Sequence, residues 1–382
     1  MTTAPATAGN SAGSQAATLL PFRGGTQPTL TSDGYVNSVT LSSSAQDMPV
    51  YNPSPNNLLR ALFIQVVATT ASNTATVAFN GDMPLGIFSS MTFQDANEKP
   101  IIGPFDSYTL AMINKYGGYD NNGDIKASAA YSIPSLSGGT GGSFTETFRV
   151  PIEAVTRTGV GSLQNQSSNS TFQLKMTVTT SALVYQTAPA GASGAIEPTV
   201  KVTIYESGYW KGANASYSQI PKAAGSTQYW TRGSYTALNG AIQQQLSQGL
   251  GYPIRNILEI NYATGGARDT THFPSPVQYI FKGSNLWNVN VTQWQDQMSR
   301  AFDLQSETAD VANGIDSGVF CLPFDLDFTN TPGAEAGLNY LQSDQGDLFQ
   351  IIGSWGASCT LYHVVNYIAP VGPASVLQAR AQ

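Results

Sequence analysis

The chain has 382 residues, room for two or three domains with real cores, and 41% of them are hydrophobic. Charged residues make up only 11% and the net charge is −7, from 17 basic and 24 acidic side chains; an average soluble domain carries roughly 25%. No Lys/Arg run supplies the stripe that displaces counterions from phosphates, so direct nucleic-acid binding is not expected, and 18 Tyr and 16 Phe argue against disorder throughout.

Ser, Thr, Asn, Gln and Gly stand where charge is scarce. Such a surface suits a protein that buries much of its exterior against copies of itself, although extracellular β-proteins share the composition.

The chain opens on "MTTAPATAGNSAGSQAATLLPF", which lacks the basic stretch and apolar run of a signal peptide. Residues 1–19 read as a flexible arm, or as one that orders against a neighbouring subunit or a membrane surface. No window approaches the ~20 apolar residues needed to cross a bilayer.

Beyond the arm the periodic segments are short, strand-like and separated by Gly/Pro/Ser/Asn loops. In order they are 61–70, 144–152, 172–185, 199–210, 256–264, 277–283, 318–328 and 348–368. This pattern predicts an all-β chain of sandwiches or barrels.

Two helices are expected. One covers 104–118, opened by Pro104 and Asp106 and closed at Gly117, with Phe105, Tyr108, Met112 and Tyr116 on one face. The other covers 291–304, with Trp294, Met298 and Phe302 on its apolar face. A third, weaker helix is read over 237–250, interrupted by Gly240.

Several blocks occur twice, in the same order. "LRALFIQVVAT" (59–69) aligns without a gap to "IRNILEINYAT" (254–264), matching Arg60 to Arg255. "MTFQDANEKP" from Met91 is mirrored by "YIFKGSNLW" from Tyr279, and each is followed by one of the two helices. Then "FRVPIE" from Phe148 is echoed by "FCLPFD" from Phe320, and "FQLKM" from Phe172 by "FQIIG" from Phe349. The offsets are 195, 188, 172 and 177 residues. Constant order at near-constant spacing implies a duplicated domain, far longer than a solenoid or propeller repeat. The repeated prolines, Pro151 and Pro323, read as strand edges or bulges, with the acids after them, Glu153 and Asp325, pointing outward.

Residues that could carry chemistry read as structural. His272 sits in a loop and His363 in a strand, and no G-x-S-x-G elbow accompanies them. Asp325 and Asp327 share a strand face, but nothing supplies the cleft that glycosidase carboxylates flank. Asp120, Asn122 and Asp124 have alternate spacing, yet Ile125 and Tyr131 stand where an EF-hand needs Gly and Glu. The Gly-rich 137–143 segment lacks the Lys-Ser/Thr of a P-loop. Cys321 and Cys359 fit no metal or redox motif and read as two buried free thiols. Sequons at Asn165, Asn169, Asn214 and Asn290 matter only in a secreted eukaryotic protein. No enzyme, cofactor or metal site is expected.

The run from "VQYIFKGSNLW" through "GVFCLPFDLDF" to "FQIIGSWGASCTLYHVVNYI", together with "LLRALFIQVVATT", resembles the major capsid proteins of tectivirus-type phages. The loops over 119–142 and 186–197 have no counterpart in the resemblance. It implies two tandem jelly-roll β-sandwiches with inserted helices, here 20–222 and 223–382 after the arm. It further implies a homotrimer with a pseudo-hexagonal footprint, tiling an icosahedral virion shell around an internal membrane. The implied partners are neighbouring trimers, minor coat or penton proteins and, through the arm, the membrane; synthesis would be in the host cytoplasm. The rival readings are a phage spike, adhesin or lectin-like β-sandwich, and behind it a carbohydrate-active enzyme.

Overall fold

The computed structural model describes residues 26–55, 57–119, 128–155, 159–165, 172–210, 226–302, 315–324 and 340–371. In chain order its first half holds β1 (Gln27–Thr40), β2 (Gln46–Asp47), β3 (Asn57–Thr69), β4 (Ala78–Phe79), β5 (Phe88–Gln94), β6 (Pro100–Phe105) and α1 (Ser107–Tyr116). There follow β7 (Phe144–Pro151), β8 (Leu163–Asn165), β9 (Gln173–Val178), α2 (Ser181–Val184), β10 (Tyr185–Thr187), β11 (Ala190–Gly191), β12 (Gly194–Ala195) and β13 (Thr199–Trp210). The second half holds β14 (Ser226–Gln245), β15 (Ile254–Ala263), β16 (Val277–Phe281), β17 (Ser284–Val289), α3 (Val291–Phe302), β18 (Val319–Pro323) and β19 (Phe349–Pro370).

In the first half one sheet has the order β1-β13-β3-β7 and the facing one β2-β9-β5-β6. Strands adjacent in a sheet are mostly distant in sequence, the signature of a jelly roll. The second half repeats the plan with longer strands. Residues 226–235 of β14 pair with 361–370 of β19, which continue to β15 and then β18. Residues 240–245 pair with 350–355, which continue to β16 and then β17. Thus β14 and β19 each pass from one sheet to the other. The crossing in β14 falls where Ala237 (φ 58) and Gly240 (φ 70) break the register. We call the two corresponding sheets the β3 sheet and the β15 sheet.

The duplication holds at residue level. Ala61 pairs with Pro151 and Asn256 with Pro323, positions related by the same 195 and 172 offsets. Just past each proline the chain makes the same bond: Ile152 N donates to Arg60 O at 3.1 Å, and Phe324 N to Arg255 O at 3.0 Å. Each proline ends an edge strand, where its missing N–H leaves no ladder bond unmade. The fourth block departs slightly. Phe93 pairs with Leu174, whereas Phe281 pairs with Phe349, a slip of two residues from the 177 offset. An even slip keeps every side chain on its own face.

On β3, Leu62, Ile64 and Val66 are fully buried, while Phe63, Gln65 and Val67 alternate with them on the outer face. One continuous apolar core extends through both rolls.

Three expectations are corrected. Residues 237–250 are not helical: most continue β14, because the left-handed Gly240 interrupts a helix and the glutamines alternate outward as on a strand. The segment 172–185 is not one strand but β9, α2 and the start of β10. Glu153 does not point outward; it is fully buried, bonded by Arg60 Nε at 2.8 Å and Tyr209 OH at 2.5 Å. Asp325 and Asp327 lie outside the described residues.

Candidate functional site

The two rolls meet along a polar seam centred on α1. Asp106 caps this helix by accepting from Thr109 N at 2.7 Å, and Gly117 closes it, as the sequence predicts. All ten of its residues are buried, not one face alone, because the second roll covers the side turned away from the first.

Lys115 Nζ donates to both oxygens of Asp316, and Tyr116 OH to Oδ1 at 2.9 Å. Tyr108 OH donates to Ile315 O at 2.6 Å, and Tyr119 OH to Gln228 Oε1 at 2.7 Å. Gln228 Nε2 in turn donates to the carbonyls of Pro151 and Glu153. The carbonyls beyond the first proline are therefore satisfied by the second roll. Burial pushes the Tyr108 and Tyr116 hydroxyls well above their ordinary range, and the neighbouring Asp316 charge adds to this at Tyr116. Both remain neutral hydrogen-bond donors at any physiological pH.

The seam covers the outer face of the β15 sheet. Leu258 there is 1% exposed, as is its strand neighbour Cys321, and its other neighbour Val364 is 0% exposed. The matching positions on the β3 sheet are Phe63, with neighbours Arg149 and Tyr205. All three are only half-buried, and Val36 on the adjoining edge strand β1 is 51% exposed. Equivalent faces are thus buried in one roll and open in the other. Apolar residues fall on both parities in "NILEINYA" of β15, as they do in "LFIQVV" of β3, so the sequence pattern alone does not separate the covered face from the open one.

A cleft of about 870 Å³ opens between the rolls beside the seam. Its carboxylates are all engaged: Asp82 by Arg268, Asp269 by the His272 ring at 2.5 Å, and Asp106 by the helix cap. Among the described residues no group of three or more His, Cys, Asp or Glu is placed to hold a metal.

The other singled-out residues are dispersed. His363 is buried in the second roll, its Nδ1 2.7 Å from Glu259 Oε1, which also accepts from Tyr279 OH at 2.9 Å. Cys321 and Cys359 are both buried and free. The 137–143 segment is a turn-rich loop, and Asp120, Asn122 and Asp124 lie outside the described residues. Asn165 is buried, donating to the carbonyls of Pro53 and Ser54, while Asn290 accepts from Gln293 N at the start of α3. Asn169 and Asn214 lie outside the described residues.

No protein-family model and no curated protein matches the sequence. The fold, in contrast, matches solved structures over nearly its whole length. The major capsid protein of STIV superposes with a TM-score of 0.58 at 12% identity, covering 91% of this chain and 100% of that one. The chain is a double jelly roll.

Two further double jelly rolls agree. The major capsid protein of bacteriophage PM2 gives a TM-score of 0.50 at 8% identity, over 91% of this chain and 98% of that one. The PBCV-1 protein fitted into a reconstruction of the virophage Sputnik gives 0.55 at 8% identity, over 90% and 94%. Identities this low speak to the fold alone.

Proposed function

We propose that this double jelly roll is the coat protein of a virion shell, acting by assembly and not by catalysis. The observation that carries the reading is the seam: two duplicated rolls joined by a buried Lys115–Asp316 pair, their equivalent outer faces covered in one roll and open in the other. The whole-length fold likeness to viral major capsid proteins supports the same reading.

In this reading residues 20–222 and 223–382 are the two rolls, and residues 1–19 an arm. Three copies give six similar units, so a homotrimer presents a pseudo-hexagonal outline suited to tiling, alongside minor coat proteins at the shell's special positions. A bacteriophage of tectivirus type, with a membrane inside the shell touched by the arm, fits the low charge and the lack of a basic stripe. Synthesis takes place in the host cytoplasm. Complementary surfaces drive assembly, at about 25 cal/mol per Å² of apolar area before association costs.

Electron microscopy of the purified protein tests this. Pseudo-hexagonal capsomers or closed particles are expected. Isolated single chains that bind glycans would replace the shell reading with the lectin one.

A further inference from the structure

Glu206 lies on the core-facing side of β13, in line with Val202 and Ile204, and is 4% exposed. Its Oε1 is buried and accepts no hydrogen bond. A buried carboxylate oxygen without a partner is costly, so its presence calls for a physical reason.

The neighbouring edge strand sets a second carboxylate beside it. Thr31 of β1 pairs with Glu206, and the register then slips between Ser32 and Val36. Such a bulge, with Gly34 at φ 74°, re-aims the side chain next to it. Asp33 there accepts from Tyr51 OH and Ser54 N, each at 3.0 Å, and from the Ser54 hydroxyl. The Ser54 backbone also reaches Glu206, whose carboxyl is raised to about 7, by burial first and then by the Asp33 charge. Among the described residues neither carboxylate has a Lys, Arg or His partner. Two neighbouring carboxylates without a basic residue are neutralised by a proton or by a cation.

The second roll shows that the fold does not require these acids. The 195 offset carries Leu62 to Ile257, and their strand partners are Glu206 and Val365. On the adjoining strand Thr31 matches Thr231, so Gly233 stands where the first roll has Asp33. Val365 is 0% exposed. One site therefore holds a valine and a glycine in one roll and two acids in the other.

We infer that Asp33 and Glu206 bind a calcium ion, with the Ser54 hydroxyl and water as further oxygen ligands. Calcium takes oxygen donors in a flexible shell, and its charge cancels that of both carboxylates. The donors include no sulfur or imidazole of the kind that favours zinc or copper. With only two acids, the site falls at the weak end of calcium affinities, a Kd of about 0.1–1 mM. The ion ties β1 to β13 and to the 51–54 segment, where Tyr51 N donates to Leu174 O of the facing sheet at 3.0 Å. It thus clamps the two sheets of the first roll together, whether or not the chain builds a shell.

Calcium chloride titrated into chelator-stripped, full-length protein at about pH 8 tests this. At about 5 mM calcium the thermal midpoint is expected to rise by about 2 °C or more, and calorimetry to find one ion per chain. Glu206→Val, which copies Val365, and Asp33→Asn are each expected to fold and to lose both the rise and the heat. A wild-type chain that gives neither response overturns the inference, as does a response that survives in either variant. Magnesium demands near-octahedral geometry and dehydrates reluctantly, so an equal rise with magnesium chloride would mean charge screening and also overturn it. Terbium, a lanthanide that occupies calcium sites and is excited through adjacent tyrosine rings such as Tyr51, gives a readout on the wild type alone. Emission that calcium displaces is expected; no emission, or emission that excess calcium leaves unchanged, contradicts the site.

Discussion

Lys115 Nζ lies 2.7 and 2.6 Å from the two carboxylate oxygens of Asp316, with both side chains buried, and so ties the α1 helix of the first roll to the second. Removing one member of a buried pair leaves the other charge without compensation, at about 3–5 kcal/mol. Lys115→Met and Asp316→Asn are each expected to destabilise the chain by an amount in that range. Urea unfolding measures it; a loss under 1 kcal/mol would mean that the seam does not depend on this pair.

A second buried pair has an internal control. Glu259 and His363 are neighbours across β15 and β19, and the matching pair across β3 and β13 is Ile64 and Ile204. Nature has therefore filled one site twice, once with a hydrogen-bonded polar set and once with hydrocarbon. Glu259→Ile alone, or His363→Ile alone, strands a polar group in the core and is expected to cost about 3–5 kcal/mol. The triple variant Glu259→Ile/His363→Ile/Tyr279→Phe, which also removes the hydroxyl left behind, is expected to recover most of that loss. A triple variant less stable than either single would show that the pair is not interchangeable with the isoleucines.

Glu206 provides a pH dependence. Burial first, and then the Asp33 charge, raise its carboxyl from the ordinary 4.5 to about 7, against a smaller lowering by the Ser54 backbone. Between those values the folded chain holds more proton at this group than the unfolded chain does. Its contribution to stability is therefore fullest below about 4.5 and declines as pH rises through about 7. Glu206→Gln is expected to flatten that slope and to raise the thermal midpoint at pH 8 more than at pH 5. Equal midpoint shifts at both pH values would contradict the assignment.

Gly103 holds a positive φ of 98°, and a Cβ there would lie 2.3 Å from Met91 O. Gly34, with φ 74° but open space around it, carries only the backbone penalty of about 1–2 kcal/mol. Gly103→Ala is expected to cost more than Gly34→Ala in the same unfolding assay, because a backbone atom must also move. Equal losses would show that β5 yields freely.

Much of the fold is legible in the sequence because both of its signals are local. Enrichment in β-branched and aromatic residues over 61–70 and 199–210 marks strands, and Asp106 and Gly117 mark a helix at both ends. Duplication is legible too, since the blocks that hold Arg60 and Arg255 recur in the same order, each followed by a helix and then by its proline. Residues 237–250 mislead because Ala237 and Gly240 make a bend between sheets that resembles a broken helix. Glu153 misleads for a different reason: its partners, Arg60 and Tyr209, are 93 and 56 residues away. The open face of the β3 sheet shows only when Phe63 and Leu258 are compared in place, because both are apolar and only tertiary packing separates them.

The central claim is that this chain assembles through its own surfaces, and the native mass tests it most directly. Light scattering after size exclusion, at micromolar protein, is expected to give about 121 kDa, three times 40.4 kDa, or particles built from that unit. A single species of 40.4 kDa under those conditions would contradict the account.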